Sequence, residues 1–174
     1  MQTAKNLSPG TLILSTFAVL ALLLSAPLPA AIPDSTPAME RPKPSLQQQP
    51  EDVVRIVIEA LADNDSPYAD AGIETTFTFA SPANKVNTGP LERFKKMVRN
   101  PTYGIMIDHV AHEFSEVVLT GDKAYQMVRI RGANGVEIIF AFRLSRQQEG
   151  EFSGMWMTDA VWPVGRPQPG SQGF

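Results

Sequence analysis

The spacing of apolar residues changes twice along the chain. Thr11 to Ala26 runs almost unbroken apolar, with Leu12, Ile13, Leu14, Phe17, Val19, Leu20 and Leu22 to Leu24. From Glu51 to Arg99 the spacing is helical. Val54, Ile58 and Leu61 share one face, widened by Val53, Val57 and Ala60. Asp52, Arg55, Glu59 and Asp63 line the other face, which predicts a helix over Glu51 to Asp63. Pro50 suits its start, and Asp63-Asn64-Asp65-Ser66-Pro67 carries the turn chemistry that ends it. Ile73, Phe77 and Ala80 predict a short second helix within Ala69 to Ala80. Ser81 to Gly89 reads as a loop. Thr88-Gly89-Pro90 then opens a helix to Arg99. Leu91, Phe94 and Met97 or Val98 face inward, while Arg93, Lys95, Lys96 and Arg99 face out.

From Tyr103 the period becomes two. Strands are expected over Phe114 to Leu119, Ala124 to Arg131, Val136 to Arg146 and Phe152 to Trp162. Gly121-Asp122 and Gln147 to Glu151 form turns. Asn134-Gly135 is the strongest hairpin signal in the chain. Helices followed by an antiparallel meander imply an α+β fold, with N-terminal helices packed on one sheet face.

The apolar run after Lys5 has the length of an export signal and is short for a bilayer span. Residues 1–30 are therefore expected to export the chain, either as a cleaved signal peptide or as an uncleaved anchor holding it to a membrane. Ala30 suits a cut, whereas Leu28 and its flanking prolines do not. Residues 31–49 are proline-rich and read as a linker, 50–163 as the folded domain, and 164–174 as a disordered tail.

Composition narrows the chemistry. The chain has no cysteine, which excludes disulfides, thiolate metal sites and a cysteine nucleophile. Its net charge of -3 argues against nucleic acid as a partner. Neither a phosphate-binding glycine loop nor a serine-nucleophile elbow is present. His109 and His112, beside Asp108 and Glu113, could face one way on a helix and hold zinc. Without a third histidine this is a weak signal, so neither a metal nor a cofactor is expected. The Arg93 to Arg99 face suits anionic headgroups or, more plainly, water and Glu92.

Phe77-Thr78-Phe79-Ala80-Ser81-Pro82-Ala83-Asn84-Lys85 is followed by Thr88-Gly89-Pro90, Phe94, Met97 and Tyr103. Leu144-Ser145-Arg146-Gln147 and Trp156-Met157-Thr158-Asp159 come later in the chain. In this order they resemble a bacterial and plastid-lineage family, domain of unknown function 4864. The resemblance covers roughly Pro50 to Trp162. It implies a cystatin-like cone, similar to nuclear transport factor 2, in which a curved sheet wraps around helices and often encloses a pocket. Export would deliver the domain to the periplasm or the thylakoid lumen. The family's last motif ends Asp-Gly where this chain has Asp159-Ala160, so a backbone needing positive φ would be strained there.

A cone of the isomerase kind needs a carboxylate base and a phenol or neutral carboxyl acid. Asp159 is the candidate base, Tyr103 and Tyr125 are the phenols, and Trp156 is an apolar wall. The plainer reading makes Trp156 core and pairs Asp159 with Arg129 or Arg143. Candidate hairpin registers place Arg129 with Phe140 and Phe142, and leave the face of Trp156 open. The expected function is a module binding a small apolar ligand or a protein partner. A small isomerase or hydrolase is the alternative. A third reading is a homodimer closed through the open sheet face, since Ile139 and Phe140 make both faces of one strand apolar.

Overall fold

The computed structural model describes residues 41–168. The N-terminal apolar segment, the linker before residue 41 and the tail after 168 lie outside the described residues, as do the expectations placed on them. Four helices come first: α1 (Pro50–Ala62), α2 (Ala71–Thr78), α3 (Pro82–Thr88) and α4 (Leu91–Val98). After one 3-10 turn at Gly104–Met106 come β1 (Ala111–Phe114), β2 (Val118–Thr120), β3 (Lys123–Arg131), β4 (Glu137–Arg146) and β5 (Trp156–Gln168). The sheet runs β1-β3-β4-β5 with β2 also on β3, and every pairing is antiparallel. The α+β expectation therefore holds. Among the described residues no helix is long and apolar enough to cross a membrane.

The predicted stripe of α1 is its buried face. Pro50 starts the helix, and the Gln49 N–H donates to the Asp52 carboxylate at 2.9 Å. Beyond its end, buried Asn64 ties α1 to α2. Its side-chain oxygen accepts the Ile73 N–H at 3.2 Å and its carbonyl accepts the Gly72 N–H at 2.9 Å. The two helices come so close at Gly72 that a Cβ there would stand 2.1 Å from the Ala60 carbonyl oxygen. Chain contacts also begin ahead of Pro50: Arg41 pairs with Glu74 at 2.9 Å and lies over the Tyr68 ring.

Three local expectations change. Ser81 to Gly89 is mostly helix α3 rather than loop. The Ser81 hydroxyl oxygen accepts the Asn84 N–H at 3.1 Å, and Pro82 takes the first helical position. None of its residues is buried, so no apolar periodicity betrayed it. The strand expected over Phe114 to Leu119 is split into β1 and β2. Between them the Ser115 N–H donates to the Met127 carbonyl, while its hydroxyl oxygen accepts the Met127 N–H, both at 2.9 Å. The last strand starts at Trp156, after a turn reaching back to Gln147, and continues past Trp162 to Gln168. Pro163 and Pro167 fit there because β5 is a sheet edge.

The hairpin at Asn134-Gly135 forms as a tight loop. The Gly132 N–H donates to the Val136 carbonyl at 3.0 Å, and Gly135 sits at φ 77°. This loop pairs Arg129 with Ile139 and Val128 with Phe140. Arg129 thus lies on the sheet face opposite Phe140 and Phe142, against the expected register. The inner face, with Val128, Ile130, Phe140, Phe142 and Leu144, packs on α1, α2 and α4 to form one core. The outer face keeps Tyr125, Met127, Trp162 and Val164 exposed. On α4, Lys95 pairs with Glu74 at 3.1 Å and Arg99 pairs with Asp70, so half of the basic face is held by α2 rather than free.

Candidate functional site

A cavity of about 370 Å³ lies between α2, α3 and α4 and the first half of β5. Leu61, Phe94, Val98 and Met106 give it an apolar floor. Exposed Asn87 and partly exposed Arg143 mark its mouth. One backbone irregularity shapes the polar end. Arg143 pairs with Ala160 and Leu144 with Thr158, so Asp159 is an extra residue in β5. Such a bulge re-aims the side chains around it. The chain closes over this bend from the other side: the Ser81 N–H donates to the Thr158 carbonyl, and the Thr158 N–H to the Phe79 carbonyl, both at 2.9 Å. The Asn84 amide adds a third bond, donating to the Thr158 carbonyl at 3.1 Å.

Two of the four candidate residues meet here. Asp159 and Tyr103 both line the cavity. Asp159 accepts the Ser145 hydroxyl at 2.9 Å and faces the Arg143 guanidinium at 4.0 Å. The Tyr103 hydroxyl donates to the Val161 carbonyl at 3.1 Å, and its ring stacks on Phe140 with centroids 6.0 Å apart. Tyr125 is elsewhere: it pairs with Val118 and Arg143 on the outer face and is 38% exposed. It does not line the cavity. Trp156 pairs with Arg146, is 4% exposed, and takes its place in the core beneath the Arg146 guanidinium. It is not among the residues lining the cavity. Ala160 has no positive φ, so the strain expected from the missing glycine is absent.

Sequence reasoning missed Thr158 as a lining residue, because the bulge at Asp159 breaks the alternation of β5, whereas Arg143 stands beside Asp159 as the plainer reading paired them. Sequence reasoning also missed Asn84 and Thr88 because α3 was read as loop. A signal was present all the same. Ala80, Asn84, Thr88, Phe94, Met97, Tyr103, Thr158 and Asp159 all belong to the motifs quoted above, and all line this one cavity.

Domain of unknown function (DUF4864) is the family whose model matches the chain, over residues 44–169. The chain belongs to this family. No curated protein and no solved structure matches it. The match spans the body that carries the cavity, from the turn before α1 to the end of β5.

The histidines of this DUF4864 domain are not on a helix. His109 precedes β1 and is buried, while His112 lies exposed within it. His109 Nδ1 is 2.8 Å from the Met106 carbonyl, so it carries the proton and donates. Neutral His109 then offers only Nε2 as acceptor, 2.9 Å from His112 Nδ1, which must donate to it. Among the described residues no cluster of three or more His, Asp or Glu side chains is placed to hold a metal ion.

Burial pushes the His109 pKa down from 6.5, the charge of His112 adds to this, and the Met106 carbonyl and Asp108 oppose it. Glu74 is also held below its ordinary 4.5. Burial opposes that shift, but the Tyr68 and Lys95 hydrogen bonds and the Lys95 and Arg41 charges outweigh it. Both groups bind protons more tightly when unfolded, so both remove stability as pH falls. The His109 contribution is full above pH 6.5 and declines as pH falls from there toward the folded value. The Glu74 contribution is lost at lower pH, below 4.5. Urea midpoints should therefore fall between pH 7 and pH 5.5, and His109→Asn should flatten that limb. An unaltered limb in the variant would remove His109 as its cause.

Proposed function

We propose that the domain, delivered outside the cytoplasm by its apolar N-terminal segment, is a small-ligand-binding module built as a cystatin-like cone. One observation carries this reading: eight residues of the motifs that resemble the family, spread from Ala80 to Asp159, line a single cavity. Its volume of about 370 Å³ lies within the range of small-molecule sites, and an apolar floor with a few polar groups at one end is their usual composition. Binding is favoured over turnover by the state of the two groups an isomerase would use. The Tyr103 proton is committed to a carbonyl, and Asp159 is engaged by Ser145 and Arg143.

Native mass spectrometry of the chain purified from its own host tests this. An extra mass that leaves on denaturation is expected, and Thr76→Phe, which fills the cavity from α2, should abolish it. A ligand that survives Thr76→Phe would place binding elsewhere. The outer sheet face supports a second reading, a homodimer. Beside its exposed apolar centre stand Glu113 with Arg129 and Glu137 with Arg131, a mixed-sign margin that a copy related by two-fold symmetry can complement. The same spectrum decides it: twice the chain mass supports the dimer, and a single chain mass at micromolar concentration removes it.

A further inference from the structure

The polar groups around the cavity are not equally occupied. Tyr103 donates to Val161, and the Asn84 amide donates to Thr158 while its oxygen accepts the Thr88 hydroxyl. Thr76 donates to Gly72. Thr158 differs. It lines the cavity, is 5% exposed, and its hydroxyl has no hydrogen-bond partner. A buried hydroxyl left unpaired is uncommon in a folded protein, and a bound ligand is one of the few things that removes the penalty. The neighbouring charges limit what that ligand can be. Arg143 and Asp159 stand side by side with opposite signs. An anion entering this end meets the Asp159 carboxylate, and a cation meets the Arg143 guanidinium. Neither finds an unmatched partner, and either would lose its hydration on the apolar floor.

We infer that the cavity takes an uncharged, mostly apolar molecule bearing one hydroxyl or carbonyl oxygen, whose polar atom pairs with the Thr158 hydroxyl. This rests on the ligand-binding reading above and adds the chemical class. Threonine suits the role because its hydroxyl both donates and accepts, so it serves an alcohol or a ketone equally.

Displacement of the neutral fluorescent probe N-phenyl-naphthylamine from the full chain tests the inference, with decanol, decanoate and decylammonium as competitors at neutral pH. Decanol should displace the probe at least about tenfold better than either ion. In Thr158→Val, which keeps the shape and removes the hydroxyl, decanol should weaken by about fivefold. Thr158→Ser should restore it. If the probe binds but the ions compete as well as decanol, or Thr158→Val leaves decanol unchanged, the ligand class is wrong while the pocket stands. If neither probe nor decanol binds and no native ligand is detected, the binding reading itself falls.

Discussion

Replacing Phe140 by alanine is expected to remove about 3–5 kcal/mol of folding stability. Phe140 is fully buried in the centre of β4. Val128 flanks it on β3 and Pro163 on β5, and the Tyr103 ring stacks on it. Truncation removes the transfer energy of a whole ring and leaves a void that two hydrogen-bonded neighbouring strands cannot collapse to fill. It also removes the support under Tyr103, so the cavity wall should loosen along with the core. Urea denaturation gives the first effect as a lower midpoint with an unchanged slope. Phe140→Leu serves as the control, keeping most of the volume and losing much less. A loss under about 1 kcal/mol for the alanine variant would mean that the core around β4 packs differently from this structure.

Gly72→Ala should be strongly destabilising, although it adds only one methyl. The added Cβ would stand 2.1 Å from the Ala60 carbonyl oxygen and 2.8 Å from its carbon. Both are backbone atoms inside α1, so no side chain can swing away. The helices must separate instead, which strains the Asn64 bonds to Gly72 and Ile73. Overpacking of this kind costs about 1–3 kcal/mol and more where backbone has to move. Helix propensity alone would favour alanine by about 1 kcal/mol, so the sign of the result separates the two effects. A thermal midpoint lowered by about 5 °C or more is the expected outcome. A raised midpoint would show that the two helices can part without loss.

The sequence carried the fold wherever burial alternated regularly. The stripe of α1, the apolar face of α4 and the β3–β4 hairpin could be read because side chains there repeat at the helical or strand period. Legibility failed where that repeat is absent or broken. Helix α3 buries no residue and so showed no stripe, though Ser81-Pro82 was a readable start. Parity misplaced Arg129, because one residue of register exchanges the two faces of a strand, and Tyr125, chosen as an available phenol, stands on the outer face. Asp159 and Tyr103 were chosen for their chemistry and do share the cavity. Thr158 could not be chosen that way, since its distinguishing property is a missing partner, visible only once the chain is folded.

The bend and the prolines of β5 bear on how the molecule behaves in a crowd. A long strand at the rim of a sheet is a template onto which another chain can add and from which a fibril can grow. Here the template is spoiled along much of its length. Near its start, Phe79 and Ser81 already occupy the bonding groups of Thr158. The extra residue at Asp159 then turns the strand out of line. Farther on, Pro163 and Pro167 offer no N–H to an incoming chain. The same bend that shapes the polar end of the cavity thus keeps this rim from polymerising, and a substitution that straightened it would expose the protein to aggregation as well as to loss of its site.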